Sequence, residues 1–240
     1  MARLIRSITK KISEISRAER HRMFELLDEY YYGVTKLTFN RDFDEKDAVM
    51  LVLDSKTQKI VGFSTFMILD LEADGRIVKG FFSGDTIMDK EYRNSTALGV
   101  EIGKNFREAL DRYPQHLLYW TLISKGCRTY RLLPLFFHDF YPRYNTETPR
   151  NIRMIIDALG RKKYPEYYNP VSGLIEFPDD IETEILKAGP EETTDRRLRD
   201  PHIRFFIEQN PGYVRGYELV CVAKISFINF TPIFTRMMRS

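Results

Sequence analysis

The apolar residues of the chain occur in two patterns, short continuous runs and longer stretches with a helical period. Residues 49–54 (VMLVLD), 60–70 (IVGFSTFMILD) and 77–88 are continuous runs rich in β-branched and aromatic residues, which is typical of buried strands. The dipeptide Asp74-Gly75 between the last two runs is a strong hairpin signal. The pattern predicts a three-stranded antiparallel meander.

At two places, apolar residues with helical spacing follow a polar residue that can begin a helix. Ser16 can cap a helix with Glu19 three residues later, as in a capping box, and Gly33 is a suitable end. A second helix is predicted beyond Ser95, where apolar residues recur on one helical face. These residues are Leu98, Ile102, Phe106, Ala109, Leu110 and Tyr113.

The remaining elements complete one domain over residues 1–240. Further strands are predicted at 3–8, 117–124 and 216–227, and a helix at 129–140 that Pro134 should kink or open. Residues 142–212 are rich in proline and charge, and we predict that they form an insertion or lid region before the last strand. Tyr164, Tyr167 and Tyr168 in this insertion either line a groove or pack against its own core. The tail after residue 228 is expected either to fray or to pack on a partner.

Composition narrows the class of protein. A net charge of +3 with scattered basic residues argues against nucleic acid as a partner. No apolar run reaches the length of a membrane span, and no signal-type segment is present at the start. With two cysteines and no Cys or His pair at ligand spacing, we expect neither a disulfide framework nor a metal site, and a cytoplasmic location.

The strand at 77–88 runs through a short polar loop into the helix after Ser95. A helix start leaves backbone N–H groups unpaired, and the helix dipole is positive there, so this junction is an anion site. Arg93, Asn94, Ser95 and Thr96 would meet a phosphate or a carboxylate. Alternatively, Ser95 and Thr96 only cap the helix.

Over residues 3–141 and 215–228 the chain resembles the GCN5-related N-acetyltransferase (GNAT) superfamily in the order of its elements. The stretch MDKEYRNSTALGVEIGKNF carries the resemblance: Met88, Tyr92 and Arg93 match in kind the end of the strand before the family's phosphate loop. Thr96 and Leu98 stand where that loop has glycine. The resemblance implies an α/β (α+β) fold with a mixed, mostly antiparallel central sheet flanked by helices.

A second, shorter likeness lies in ALGVEIGKNF. Glu101, Ile102, Gly103, Lys104 and Phe106 are similar to a segment of acyl-homoserine lactone synthases and long-chain N-acyl amino acid synthases. Those relatives take acyl groups from CoA or from the phosphopantetheine of a carrier protein. The likeness favours an acyl donor longer than acetyl.

The resemblance implies a donor site. Backbone groups of the strand before the phosphate loop would hold the pantetheine and the oxyanion of an acyl-CoA or acyl-phosphopantetheine, and the loop would hold the phosphates. On this sequence the first group is Thr86, Ile87 and Met88, and the second is Arg93, Asn94, Ser95, Thr96, Ala97 and Leu98.

Acyl transfer to an amine also needs a base and an acid. Asp85 is the best-placed base; the alternative, which the pattern favours, is a structural residue of a Ser83-Gly84-Asp85 bulge. The family's tyrosine acid would fall at Leu135 or Phe136. Tyr130 and Tyr141, together with His138, are substitutes, but each tyrosine could equally be a core residue.

We therefore predict an acyltransferase that moves an acyl group from acyl-CoA or acyl carrier protein to a small-molecule or peptide amine. The alternative is a non-catalytic GNAT-fold module that binds a thioester or a protein, which the missing loop glycines and tyrosine favour. A third hypothesis, and the weakest, is binding to an anionic membrane surface through the basic chain ends.

Overall fold

The computed structural model describes residues 4–178, 181, 183–187 and 198–239. Its strands are β1 (Ile5–Lys11), β2 (Tyr31–Tyr32), β3 (Ala48–Asp54), β4 (Ile60–Ala73), β5 (Arg76–Met88), β6 (Leu118–Ser124), β7 (Tyr168–Asn169), β8 (Leu174–Ile175), β9 (Ile185–Leu186) and β10 (Glu218–Lys224). Eight of them form one sheet in the order β1-β3-β4-β5-β6-β10-β8-β7, and β2 pairs separately with β9. Neighbours are antiparallel except β5 and β6, which are parallel. The predicted mixed, mostly antiparallel sheet is confirmed.

Helices cover both faces of this sheet. They are α1 (Arg17–Tyr30), α2 (Lys36–Asp44), α3 (Ala97–Arg112), α4 (Cys127–Tyr130), α5 (Leu132–Phe136), α6 (Arg150–Lys163), α7 (Pro201–Gln209) and α8 (Pro232–Met237). The capping box of Ser16 and Glu19 is present at the start of α1. Asp74 and Gly75 both have positive φ and turn β4 into β5, as the sequence predicts.

The core has two layers, because successive side chains of each strand point to opposite faces of the sheet. Met50 and Val52 of β3 face the side of α3, whereas Val49 and Leu51 face the side of α1 and α2. On the α3 side Phe106 packs against a group of aromatic rings, which explains much of the high aromatic content. Those rings belong to Phe81, Trp120, Phe137, Phe230 and Phe234. Helix α6 covers the other face beside α1 and α2.

Three segments differ from the sequence prediction. Residues 129–140 are not one helix: α4 and α5 end at Phe136, and Phe137 is extended and forms a bridge with Phe230. The tail is not frayed, because α8 packs on α3. Gly99 and Gly103 allow this approach, since a Cβ on Gly103 would come within 2.6 Å of Met238 Cγ. The last strand is also shorter than predicted, ending at Lys224.

The insertion contains α6, the short strands β7 to β9 and α7. Residues 183–187 cross the end of the sheet, where β9 pairs with β2 and Lys187 N–H donates to Tyr30 O at 2.8 Å. The helix α7 was not predicted. Most of the charged stretch 182–199 lies outside the described residues.

Glu101 ties α3 to the edge strand β1. The hydroxyls of Ser7 and Thr9 donate to its buried carboxylate at 2.9 and 2.8 Å. This residue belongs to the segment that is similar to the N-acyl amino acid synthases. In this fold its visible partners are therefore structural.

Replacing Glu101 by Ala is expected to lower the free energy of unfolding by about 1–3 kcal/mol, because two hydroxyl donors lose a charged acceptor. Denaturant unfolding measures this loss. Glu108→Ala is the matched control, since Glu108 is exposed on the same helix and its replacement should change stability by less than about 0.5 kcal/mol. Equal losses in both variants would show that the contact with β1 contributes nothing.

Candidate active site

The sheet opens between β5 and β6. The two parallel strands pair only from Lys79–Leu118 to Ser83–Leu122, and β5 continues to Met88 with no strand partner on that side among the described residues. At the point of separation Gly84 and Asp85 both lie opposite Thr65 of β4, which is a β-bulge. The bulge indicated by the sequence at Ser83-Gly84-Asp85 is therefore present, and it turns the end of β5 away from β6.

The opening exposes peptide groups of β5. Asp89 N–H donates to Val61 O of β4 at 2.8 Å. Peptide groups alternate along a strand, so those of Thr86 and Met88 face away from β4, towards the gap. Met88 O accepts a hydrogen bond there from Arg93 Nε at 3.2 Å. An extended ligand could therefore pair with the backbone of β5 in place of β6.

A cleft of about 950 Å³ occupies this gap on the side of α3. Its volume lies at the upper end of the range for small-molecule sites. Eight of the nine residues predicted to hold the donor line it: Thr86, Ile87, Met88, Arg93, Asn94, Ser95, Thr96 and Leu98. Ala97 instead lines a shallow depression beside β1. Their role as donor ligands stays a prediction.

The charged side chains of the described cleft wall are all cationic. Its cationic side chains are Lys90, Arg93, Arg128, Arg131 and Lys187, and the described lining includes no carboxylate. The Arg93 guanidinium also lies 4.8 Å from the centre of the Tyr30 ring. Sequence reasoning found only Arg93, because the other cations come from separate segments with no shared motif. A polyanionic ligand is favoured by such a wall.

The start of α3 lies at the same end of the cleft. Ser95 Oγ accepts from Ala97 N–H at 3.0 Å, so Ser95 caps the helix. Thr96 makes no side-chain cap. Within the described part of the chain, the N–H groups of Leu98 and Gly99 have no hydrogen-bond partner. The predicted anion site therefore has free donors, although a leucine stands where the family has glycine.

The deeper wall is apolar and lacks the family's tyrosine acid. Leu135 and Phe136, at the positions where that tyrosine would fall, both line the cleft. The predicted substitutes lie elsewhere: the Tyr130 hydroxyl is buried and donates to Pro142 O at 2.8 Å, and Tyr141 packs on the α6 side. His138 is exposed on the surface. Of the tyrosines, Tyr30 and Tyr31 line the cleft instead.

Asp85 lies behind the bulge, on the face of α2 and α6. It is partly buried, and it makes no hydrogen bond or ion pair with the residues that the structure describes. Burial, with the nearby charges of Asp42 and Glu184, raises the pKa of Asp85 to about 7. A carboxyl with this pKa can accept a proton near neutral pH.

Comparisons with known proteins give the following matches. No family model and no curated protein sequence matches the chain. Among solved structures, a probable N-acyltransferase from Enterococcus faecalis is 15% identical, with a TM-score of 0.40 over 56% of this chain and 33% of the other. A GNAT family N-acetyltransferase from Escherichia coli in complex with CoA is 13% identical, with a TM-score of 0.39 over 55% and 69%.

A third match is N-myristoyltransferase from Saccharomyces cerevisiae with bound myristoyl-CoA, 19% identical, with a TM-score of 0.38 over 50% and 32%. The chain thus spans about a third of the Enterococcus and yeast proteins. All three structures match this chain with TM-scores of 0.40 or less. None of them bears on the likeness to acyl-homoserine lactone synthases.

Two further properties belong to the described residues only. None of their helices is both long enough and apolar enough to cross a bilayer. They also contain no group of three or more His, Cys, Asp or Glu side chains arranged to hold a metal ion.

Proposed function

We propose that the protein is an acyltransferase that moves an acyl group from an acyl-CoA thioester to an amine. The observation that carries this proposal is the opening between β5 and β6. Among the described residues, it has a cationic cleft with free helix N–H groups on one face and a carboxyl of near-neutral pKa without a partner, Asp85, on the other. A donor and an acceptor can approach the same gap from opposite faces of the sheet.

The cleft fits the donor in its chemistry. The cations Arg93, Arg128 and Arg131 and the N–H groups at the start of α3 suit the phosphates of CoA. The peptide groups of Thr86 and Met88 suit the amides of the pantetheine and the thioester oxygen, which becomes an oxyanion in the reaction. The apolar wall of Leu98, Ile102 and Phe136 suits the acyl chain.

The chemical step follows from these positions. Asp85 takes a proton from the acceptor ammonium, and the free amine nitrogen attacks the thioester carbonyl carbon. A C–N bond forms, the C–S bond breaks, and the thiolate leaves with the bonding pair. The nitrogen loses its second proton as the amide forms, and that proton passes through solvent to the thiolate, which gives free CoA; Asp85 returns its own proton to solvent.

The thiolate can leave without a tyrosine as its acid, because a thiol is already a much stronger acid than a phenol. Burial raises the pKa of Tyr31 well above its usual value, whereas a thiol has a pKa of about 8.5. A phenol so much weaker than the thiol would give up its proton to the thiolate only at a cost. The missing family tyrosine therefore does not prevent the reaction.

The binding step is tested by isothermal titration with acetyl-CoA, longer acyl-CoAs and acyl carrier protein. Arg93→Ala is expected to weaken CoA binding about 10–100-fold, because a charge-assisted contact with a phosphate contributes about 1.5–3 kcal/mol. Arg76→Ala is the control, since Arg76 is exposed at the opposite end of β5. A folded wild-type protein that binds none of these donors would refute the proposal.

The alternative, a non-catalytic thioester-binding module, is favoured by one observation, the absence of the family's tyrosine from Leu135 and Phe136. It makes the same prediction for binding but none for turnover. CoA binding without release of free thiol, across a panel of amines, would support it over acyl transfer.

A further inference from the structure

A mixed cluster of charged side chains lies behind the bulge, on the face opposite the cleft. We call it the acid–lysine cluster; its members are Asp42, Lys46, Asp85, Lys125, Glu184 and Glu218. They come from α2 and the residues after it, the bulge of β5, the end of β6, the crossing segment before β9 and the first position of β10. The cluster therefore forms only in the folded chain.

Its charges do not balance. Lys46 is fully buried and pairs with Asp42 at 2.6 Å. Lys125 pairs with Glu184 at 2.9 Å and, at a longer 3.7 Å, with Glu218. Four carboxyls thus face two lysines, and Asp85 has no direct partner in the described chain. Burial raises the pKa of Glu218 to about 7, so Lys125 does not fully compensate for it.

An unpartnered polar atom lies beside the cluster. Thr65 is completely buried, and its Oγ1 has no hydrogen-bond partner in the described residues. A Cβ on Gly84 would come within 2.5 Å of this oxygen and 2.7 Å of Lys46 Cε. The glycine in the bulge thus lets the β5 backbone pack closely against Thr65 and Lys46. A hydroxyl without a partner in such a place favours a hydrogen-bonding ligand.

The cluster and the cleft share a wall. Tyr31 lines the cleft, its ring centre lies 5.6 Å from Lys125 Nζ, and the charges of Lys125, Asp85, Glu218 and Glu184 all act on its pKa. Tyr164, directly after α6, faces the same charged residues. The charge of Glu218 is the largest cause of its raised pKa. The acid–lysine cluster therefore lies at the far side of the gap through which an acyl group would be passed.

We infer that this cluster is the acceptor pocket, and that its acceptor is an aliphatic amine with a second cationic group and no carboxylate, such as a linear diamine. One ammonium ion would meet Asp85, and the other would compensate for Glu218. A carboxylate on the acceptor is disfavoured because both lysines already have partners, and an unpaired buried charge is costly. This inference rests on the proposed acyl transfer.

Three acceptors with the same five-carbon chain test it: 1,5-diaminopentane, lysine, which adds a carboxylate, and pentylamine, which lacks the second amine. With a saturating acyl-CoA donor, kcat/KM for 1,5-diaminopentane should exceed both others by about tenfold or more, as expected for one buried charge pair. Equal or better use of pentylamine or lysine would overturn the inference, and so would transfer to a peptide lysine only.

A variant and a binding measurement separate the possible failures. Glu218→Gln should reduce the preference for the diamine over pentylamine to near one, whereas Glu208→Gln, exposed on α7, should preserve it. Titration of 1,5-diaminopentane into wild-type protein without donor should show saturable binding. Diamine binding without transfer would contradict only the proposed function. Transfer without preference for the diamine would contradict only the acceptor class.

Discussion

Asp85→Asn is expected to lower kcat/KM for acyl transfer by about 10²–10⁴-fold, the usual contribution of a positioned base. The amide is nearly isosteric with the carboxyl but cannot take the proton of the acceptor ammonium. Because Asp85 lies on the face opposite the cationic cleft, the affinity for CoA should be almost unchanged. Steady-state kinetics together with isothermal titration of CoA would measure the two effects separately.

The pH profile identifies the base more specifically. Asp85 must be ionised to accept a proton and its pKa is raised to about 7, so kcat/KM should rise with pH and level off above about 7. Glu218, Glu184, Asp42, Lys125 and Lys46 surround it, and Glu218 also has a pKa of about 7. The rise should therefore persist in Glu218→Gln and disappear in Asp85→Asn.

A neighbouring carboxylate provides the matched control. The Asp89 side chain accepts from Glu91 N–H at 3.1 Å and so caps a short helical turn. We expect Asp89→Asn to change kcat/KM by less than about threefold, as for a residue that takes no part in proton transfer. If Asp85→Asn retained full activity, or if Asp89→Asn lost as much, Asp85 would not be the base.

Much of the fold could be predicted from local pattern, and the exceptions have a physical cause. The strands β3, β4 and β5 are apolar runs bounded by turn residues, and α3 carries a regular stripe, so each is specified by its own sequence. The region around α5 and α8 is different. Phe136 and Phe234 stack on each other at 4.2 Å between ring centres, although they are far apart in the chain. Such a contact overrides local helical preference and leaves no periodic signal.

The two halves of the candidate site differ in the same way. The donor residues run from Thr86 to Leu98 in one strand, loop and helix, so a single motif predicts them together. The members of the acid–lysine cluster come from separate segments and look like ordinary surface charges in the sequence. Only the order β5-β6-β10 brings Lys125 opposite Glu218. One local signal exists: Glu218 opens a strand that is otherwise almost wholly buried and apolar.

Lys125→Met is expected to lower the free energy of unfolding at pH 8 by about 3–5 kcal/mol, the cost of leaving buried carboxylates without their counter-charge. Methionine keeps the length and the apolar stem of lysine, so the loss would come mainly from charge. Glu184 and Glu218 would lose their ion pairs, and Glu184 also holds the crossing segment against the end of β6.

The size of this effect should depend on pH in a defined direction. The pKa of Lys125 is raised well above 10.5, so its ion pairs remain intact across neutral pH and are lost only at strongly alkaline pH. The pKa values of Asp85 and Glu218 are raised from 3.8 and 4.5 to about 7. The folded state therefore binds more protons than the unfolded state between about pH 4 and 7, and stability falls as pH rises through that window. Without Lys125 the pKa values of these carboxyls would be higher still. Their ionisation would then destabilise the folded protein more.

Denaturant unfolding of Lys125→Met at pH 5 and pH 8 tests this argument. The loss should be larger at pH 8, because at pH 5 Asp85 and Glu218 are mostly protonated and need no counter-charge. Adding Glu218→Gln to Lys125→Met should recover part of the stability, since it removes one unpaired charge. Lys162→Met, exposed on α6, should change stability by less than about 0.5 kcal/mol at either pH. An equal loss at both pH values would show that the Lys125 stem, rather than its charge, stabilises the cluster.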